Sequence, residues 1–147
     1  MNTTLRRAAT AVCLALPLLA GCGGPVHVEP PVPTGAAVAG CERLAALLPQ
    51  TLDGAQRGTS TPESPYVAVW GEGEITLRCG VPRPANMEPT ATLAEFNGVG
   101  WFPDPRTDTL FTAVTDDGYV EVTISHAHEA PEVLAELSTP IGRAMPG

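Results

Sequence analysis

The sequence contains no lysine, and its eight basic residues are all arginines. Sixteen acidic residues give the chain a formal net charge of −8 at pH 7. Proteins that bind nucleic acids neutralise phosphates with clustered basic residues, so this charge balance argues against a nucleic-acid partner. The lack of lysine also excludes the Ser-x-x-Lys motif of one class of serine enzymes, and no Gly-x-Ser-x-Gly motif is present.

Long hydrophobic runs are also missing. The longest apolar stretch, residues 8–20, is too short for a helix that spans a bilayer, which needs about 20 residues. It follows Arg6 and Arg7, and a basic start followed by a short apolar run is typical of a secretory signal peptide. We therefore predict a lipoprotein-type signal peptide over residues 1–21 and an extracytoplasmic location for the remainder of the chain.

A cysteine in a specific context follows the signal peptide. Leu19-Ala20-Gly21-Cys22 is similar to the lipobox of bacterial lipoproteins, whose cysteine sulfur receives a diacylglycerol and becomes the new N-terminus after cleavage. The similarity implies lipidation of Cys22, with acyl chains such as palmitate, and a lipid anchor on the outer face of the cell membrane. Ordinary secretion, with Cys22 free or disulfide-bonded, is the alternative.

The residues after Cys22 have the composition of a linker. Residues 23–40 contain four prolines and four glycines and show no sustained helical or strand periodicity. We therefore predict a lipidated cysteine with a tether over residues 22–40 and a single extracytoplasmic domain over residues 41–147, which is long enough for one hydrophobic core. In a polyproline-like conformation this tether would reach about 60 Å.

The domain has the periodicities of helices and of hairpins. They predict a helix over residues 41–48, a hairpin of residues 66–70 and 74–79, a second hairpin of residues 109–115 and 119–125, and a helix over residues 131–137. Residues 80–105 are rich in proline and glycine and predict a long loop, with a short extended piece within residues 93–102. The predicted fold is α+β, a small antiparallel sheet of two hairpins with an N-terminal and a C-terminal helix packed on one face.

Four cysteines are present. Cys13 lies in the predicted signal peptide and Cys22 carries the predicted lipid, which leaves Cys41 and Cys79 as a pair in an oxidising compartment. Each occupies the apolar face of its element, so we predict a disulfide where the first helix meets the sheet. The alternative, a catalytic or redox thiol, needs exposure and a nearby cation; Arg78 adjoins Cys79 but points to the opposite face of the strand.

His126 and His128 have the spacing of metal ligands. Alternate residues of a strand project to the same side, so the two imidazoles could share one ion with a nearby carboxylate. A metal needs three or four ligands, however, and exposed loop histidines are the simpler interpretation. We predict no metal and no catalytic residue; an envelope hydrolase or metal-binding protein that uses these histidines, including a triad through Ser125, is the alternative.

Two tryptophans and two arginines form a candidate binding surface. Trp70 and Trp101 each have a glycine neighbour, and glycine beside an indole lets a ligand approach the ring closely. Arg78 and Arg83 could hold a carboxylate or a phosphate near these rings. Core packing of the indoles and pairing of the arginines with nearby glutamates are the alternatives.

Four segments of the domain carry a family resemblance: Trp70-Gly71, Leu77-Arg78-Cys79-Gly80-Val81-Pro82-Arg83-Pro84, Asn97-Gly98-Val99-Gly100-Trp101 and Tyr119-Val120-Glu121-Val122. Together they resemble the actinobacterial domain of unknown function 3515 family, over about residues 41–142. The resemblance implies a small extracytoplasmic module behind a lipobox or a membrane helix. It implies no activity, ligand or catalytic residue.

Together these observations favour a protein that is not an enzyme. We predict a lipid-anchored binding or accessory module of the cell envelope that contacts the membrane through its N-terminal lipid. Its partner is an unidentified envelope protein or a small ligand, and we expect no cofactor. A structural accessory subunit without a ligand pocket is a further alternative.

Overall fold

The computed structural model describes residues 23–147. The predicted signal peptide, Cys13 and the predicted lipidation site Cys22 lie outside the described residues. The elements of the described part are, in chain order, β1 Val26–His27, α1 Ala36–Leu47, β2 Thr51–Leu52, β3 Ala55–Gln56, β4 Ser60–Thr61, β5 Val67–Trp70, β6 Ile75–Val81, β7 Ala94–Phe96, β8 Val99–Pro103, β9 Leu110–Val114, β10 Tyr119–Ile124 and α2 Ala130–Ala144.

One antiparallel sheet of six strands dominates the fold, in the order β5-β6-β10-β9-β8-β7. Three hairpins, β5 with β6, β7 with β8 and β9 with β10, build it, and the pairs β6 with β10 and β8 with β9 join them. Along β6 every second residue is buried, as expected for a sheet with one face on the core. Every second residue of β10 is also buried, as the alternation in its sequence predicts.

A row of laterally paired residues shows that both helices cover the same face of the sheet. The row consists of Cys79, Val120, Ala113 and Trp101 on four neighbouring strands. Paired residues of adjacent strands point to the same side. Cys79 is bonded to α1 through a disulfide, and the indole N–H of Trp101 donates to Ser138 of α2. The predicted α+β architecture is thereby confirmed.

The third hairpin is the main difference from the predicted fold. The proline and glycine content of residues 80–105 predicts a loop with a short extended piece, whereas β7 and β8 form a hairpin within it. Its turn is Asn97-Gly98, with φ angles of 47° and 80°. An Asn-Gly pair with positive φ is favoured in tight hairpins, so a turn signal was present. The strand signal was weak because β7 is short and mostly exposed.

Both helices are longer than their periodicity predicts. α1 begins at Ala36, ahead of the predicted start at residue 41, and α2 continues through Pro140 to Ala144. Leu137 and Ile141 on either side of Pro140 are buried, so packing on the sheet outweighs the helical hydrogen bond that proline cannot donate. Neither helix of residues 23–147 has the length and apolar content that a membrane crossing requires.

The chain ahead of α1, residues 26–34, packs on the domain, and we call it the N-terminal segment. Its strand β1 pairs in parallel with β4, and Arg78 Nε donates to the Glu29 carbonyl oxygen at 3.0 Å. Pro31 and Pro33 are buried. Gly80, with φ at 84°, makes room for Pro33, because a Cβ there would collide with the proline ring. Backbone hydrogen bonds and proline rings hold this segment on the domain. Neither gives the sequence a helical or strand periodicity, so its packing was not visible in the pattern of residues 23–40.

The predicted disulfide is present where α1 meets the sheet. The sulfur atoms of Cys41 on α1 and Cys79 on β6 are 2.06 Å apart, and both residues are buried. The sulfur of Met145, just after α2, lies 3.5 Å from Cys79 Sγ. The bridge therefore joins α1, β6 and the end of α2 at one point of the core.

We expect the double variant Cys41→Ala/Cys79→Ala to lose about 4 kcal/mol of unfolding free energy, because the bridge restricts the unfolded chain. The two cysteines are 38 positions apart, and the entropy of closing a loop of that length sets the size of the effect. Urea denaturation measures it. Wild-type protein under reducing conditions is the control, since it keeps both sulfur atoms; a loss below about 1 kcal/mol in both cases would contradict this account.

Candidate functional site

Both tryptophans of the predicted binding surface lie in the core. Trp70 and Trp101 have 0% of their surface exposed. The indole N–H of Trp70 donates to the Pro49 carbonyl oxygen at 3.0 Å, and that of Trp101 donates to Ser138 Oγ at 2.9 Å. This corrects the predicted surface, because the sheet register turns Trp101 inward and the chain around β5 covers Trp70. Core packing, the alternative interpretation, describes both rings.

The two arginines of the predicted surface bind other parts of the chain. Arg78 Nη1 lies 2.8 Å from Glu121 Oε1, and its Nε holds the N-terminal segment. Arg83 donates from Nη2 to the Met87 carbonyl oxygen at 2.9 Å and from Nη1 to Tyr119 Oη at 3.3 Å. The structure thus does not bring the four predicted residues to a common surface.

The structure also separates the two histidines. The His126 side chain is 78% exposed and its Nε2 lies 3.3 Å from Asp108 Oδ2. The His128 side chain is 10% exposed, with Nδ1 2.8 Å from Asp53 Oδ2 and Nε2 3.3 Å from Glu74 Oε2. Because both nitrogens of His128 face carboxylates, neither points to an ion shared with His126. Within residues 23–147, no three metal-ligating side chains are grouped so that they could hold a metal ion.

The surroundings of His128 do not form a hydrolytic triad. In a triad, one ring nitrogen faces an acid and the other faces the nucleophile. Here Nε2 of His128 faces a second carboxylate, that of Glu74. Ser125 Oγ is buried and has no hydrogen-bond partner in the described part of the chain. His128 is therefore not placed to activate Ser125.

What His128 does is hold three loops together. Asp53 lies in the β2–β3 turn, Glu74 ends the β5–β6 turn, and His128 follows β10. The hydrogen bond to Asp53 raises the pKa of His128 above its ordinary value; desolvation opposes this shift, and the hydrogen bond to Glu74 adds to it. The imidazolium between two carboxylates is therefore stabilised by the fold.

A different arginine, outside the predicted binding surface, lies beside a pocket. The guanidinium carbon of Arg57 is 4.9 Å from the ring centroid of Trp70. The Gly58 N–H donates to the Val69 carbonyl oxygen at 2.9 Å, so residues 56–58 lie along the outer edge of β5 and position this side chain. No local pattern marks Arg57, because its place depends on pairing between a loop and a strand.

The pocket beside Arg57 has a volume of about 410 Å³. Its lining is mainly backbone and small residues, among them Gly23, Gly24, Gly58, Thr59 and Gly71. Within residues 23–147, no carboxylate lies at ion-pairing distance from the guanidinium of Arg57. Arg57 is half-buried, and this partial removal of the charged group from water lowers its pKa from the ordinary value. The arrangement combines an open pocket with an unneutralised cation.

Comparison with known proteins identifies a family. The family model described as "Protein of unknown function (DUF3515)" matches residues 7–147. The chain belongs to the DUF3515 family. No curated protein and no solved structure matches it. Membership confirms the resemblance carried by the four sequence segments.

Those segments have structural roles in this DUF3515 protein. Trp70 and Trp101 fill the core, and Cys79 forms the disulfide. Gly80 admits the ring of Pro33, and Asn97-Gly98 makes the turn of the third hairpin. The resemblance therefore includes residues that determine the fold. Of the residues in the four segments, Gly71 alone lines the pocket beside Arg57.

We expect the stability of the wild-type protein to fall as the pH rises above neutrality, through the pKa of folded His128. A histidine whose pKa is raised by folding contributes fully below its unfolded pKa of about 6.5, and the contribution is lost as the ring deprotonates in the folded state. His128→Asn should remove most of this pH dependence and cost about 1.5 kcal/mol at pH 6, through the lost bond to Asp53.

Urea denaturation at pH 6 and pH 9 tests this expectation. His126→Asn is the matched control, because it removes an exposed histidine and should keep the wild-type pH dependence. Equal pH dependence in His128→Asn and in the wild type would contradict the role assigned to His128.

We expect Ser138→Ala to lower the unfolding free energy by about 1–3 kcal/mol, the cost of a buried polar group left without a partner. Ser138 Oγ accepts the Trp101 indole N–H and donates to the Leu134 carbonyl oxygen at 2.7 Å. Thermal and urea denaturation measure the loss. Thr139→Ala, at the exposed neighbouring position, is the control and should change stability by less than about 0.5 kcal/mol. A loss in Ser138→Ala no larger than in this control would contradict the assignment.

Proposed function

We propose that this DUF3515 protein is a lipid-anchored extracytoplasmic module that binds or assists a partner in the cell envelope and catalyses no reaction. The observation that carries the proposal is the lipobox-like sequence Leu19-Ala20-Gly21-Cys22 after a basic and then apolar segment. Acyl chains on Cys22 would hold the protein at a membrane without a basic surface, which agrees with the formal charge of −8.

The disulfide supports an extracytoplasmic location. Disulfides persist in oxidising compartments and are rare where thiol reductants are abundant. Cys41 and Cys79 are bonded to each other and buried in the core, so the bridge is part of the architecture and not an exposed redox pair. The secretory-type N-terminal sequence and the core disulfide both favour an extracytoplasmic compartment.

The packed N-terminal segment supports a short connection between lipid and domain. β1 begins at Val26, four positions after Cys22. Four residues span at most about 14 Å, in place of the 60 Å reach expected for a free tether. An anchor at Cys22 would therefore keep the edge of the domain near β1 and β4 close to the lipid headgroups. Such a position suits a partner in or on the membrane.

The contacts of the chemically active side chains support a role without catalysis. His128 bridges two carboxylates, Arg78 and Arg83 bind other parts of the chain, and the paired cysteines form the disulfide. Each of these contacts stabilises the fold. The hydrolase alternative, which used His126 and His128 together, gains no support from this geometry.

We expect the protein purified from its native membrane to carry a diacylglycerol on Cys22 and to begin at that residue. A thioether-linked lipid is the anchor that the proposal requires. Mass spectrometry of the intact protein measures the modification, and metabolic labelling with an alkyne fatty acid measures it independently.

Two variants sharpen this test. Cys22→Ser should abolish labelling and shift the protein out of the membrane fraction. Cys13→Ala, a matched loss of a cysteine within the predicted signal peptide, should leave both unchanged. Unmodified Cys22 in the wild type, or labelling that persists in Cys22→Ser, would overturn the proposal.

A further inference from the structure

Arg57 is a cation with no counter-charge at ion-pairing distance among residues 23–147. It is half-buried, and no carboxylate of the described residues pairs with it, whereas Arg78 pairs with Glu121 at 2.8 Å. The ring of Trp70 covers one side of the guanidinium and offers a cation–π attraction. A guanidinium has five N–H donors in a planar fork, so its edges can still bind an acceptor group.

The pocket has the shape for such a group. A Cβ on Gly58 would lie 3.2 Å from the Gly71 carbonyl oxygen, so the backbone of residues 56–58 packs closely against the end of β5. The four glycines that line the pocket add no side chains to it. The volume of about 410 Å³ lies within the range of small-ligand pockets. A phosphate group with its ester substituents fits a space of this size, and arginine binds phosphate oxygens in pairs.

The position and the charge of the rim distinguish between phosphate ligands. Gly23 and Gly24 line the pocket, and Cys22 immediately precedes them. The Glu72 carboxylate lies 3.8 Å from the Cβ position of Gly23 and places a negative charge at the rim. This charge repels a doubly charged phosphate more strongly than a singly charged phosphodiester.

We propose that Arg57 and this glycine-lined pocket bind the phosphodiester of a membrane lipid headgroup. The guanidinium donates paired hydrogen bonds to two phosphate oxygens, with the indole of Trp70 behind it. The lipid source rests on the proposed function, because an anchor at Cys22 would bring the pocket to the bilayer. The phosphate chemistry itself does not depend on the anchor, and inorganic phosphate is the other source of the same group.

An NMR titration separates these sources. Mature protein purified in dodecyl maltoside micelles, which contain no phosphate, is titrated with dihexanoyl phosphatidylglycerol while the backbone amide signals of Gly58 and Gly71 are followed. We expect saturable shifts of both signals. Dihexanoylglycerol, which lacks the phosphate, should cause none, and inorganic phosphate should bind at least about tenfold more weakly than the phospholipid.

Four variants test the assigned residues. Arg57→Gln should weaken phospholipid binding at least about tenfold, because charge-assisted bonds are lost. Arg57→Lys should weaken it less, since the charge remains and only the paired geometry is lost. Glu72→Gln should strengthen binding. Arg106→Gln removes an exposed arginine in the β8–β9 loop and should leave binding unchanged.

The outcomes discriminate between site, ligand and anchor. Absence of saturable shifts, or unchanged affinity in an Arg57→Gln variant whose spectrum is otherwise that of the folded protein, would overturn the site. Inorganic phosphate that binds as tightly as the phospholipid would overturn the lipid as ligand. Mass spectrometry of Cys22 in the same preparation tests the anchor separately: binding by a chain with unmodified Cys22 would contradict the proposed function and support the pocket.

Discussion

The contact between α1 and β6 is the constraint on which the other packing depends. The bridge between Cys41 and Cys79 joins α1 to β6, the second strand of the sheet, and the Met145 sulfur, at the end of α2, lies 3.5 Å from Cys79 Sγ. The inward residues of β6 and β10 can then remain buried beneath both helices. Small domains are stable by about 5–15 kcal/mol, so a cross-link at this position is a large part of the margin.

Arginine replaces lysine throughout this acidic chain, and three of the six described arginines, Arg43, Arg78 and Arg83, connect distant segments. Arg43 on α1 donates to the Ala144 carbonyl oxygen at the end of α2 and pairs with Asp117 in a hairpin turn. Arg78 and Arg83 make comparable links. The planar guanidinium can bind several acceptors at once, which suits this use. Arg57 differs because its guanidinium lies over the ring of Trp70 and beside an open pocket.

The packed N-terminal segment connects the proposed lipidation site with the pocket. Because β1 pairs with β4, the chain leaves the domain beside residues 56–59 and the turn that contains Gly71. The same few residues therefore line the pocket and lead to Cys22. Lipidation at that position would orient the domain as well as retain it, and it would bring the pocket to the bilayer, which is why a lipid is the proposed source of the phosphate.

Local patterns in the sequence were enough to predict the class of fold and the disulfide. The alternation of buried and partly exposed residues in β6 and β10 depends on neighbours within each strand, and the structure confirms it. Cys41 and Cys79 lie 38 positions apart, but each occupies the apolar face of its own element, and the structure confirms their disulfide. The third hairpin had a turn signal at Asn97-Gly98 that its weak strands obscured.

Only the tertiary structure decided which side chains are available for binding. Trp70 and Trp101 are buried, Arg78 is engaged with the N-terminal segment, and Arg57 faces a pocket, through contacts between residues far apart in the chain. Hydrophobic periodicity shows which face of an element is apolar. It contains no information on which distant segment will pair with that element, and that pairing determines the site.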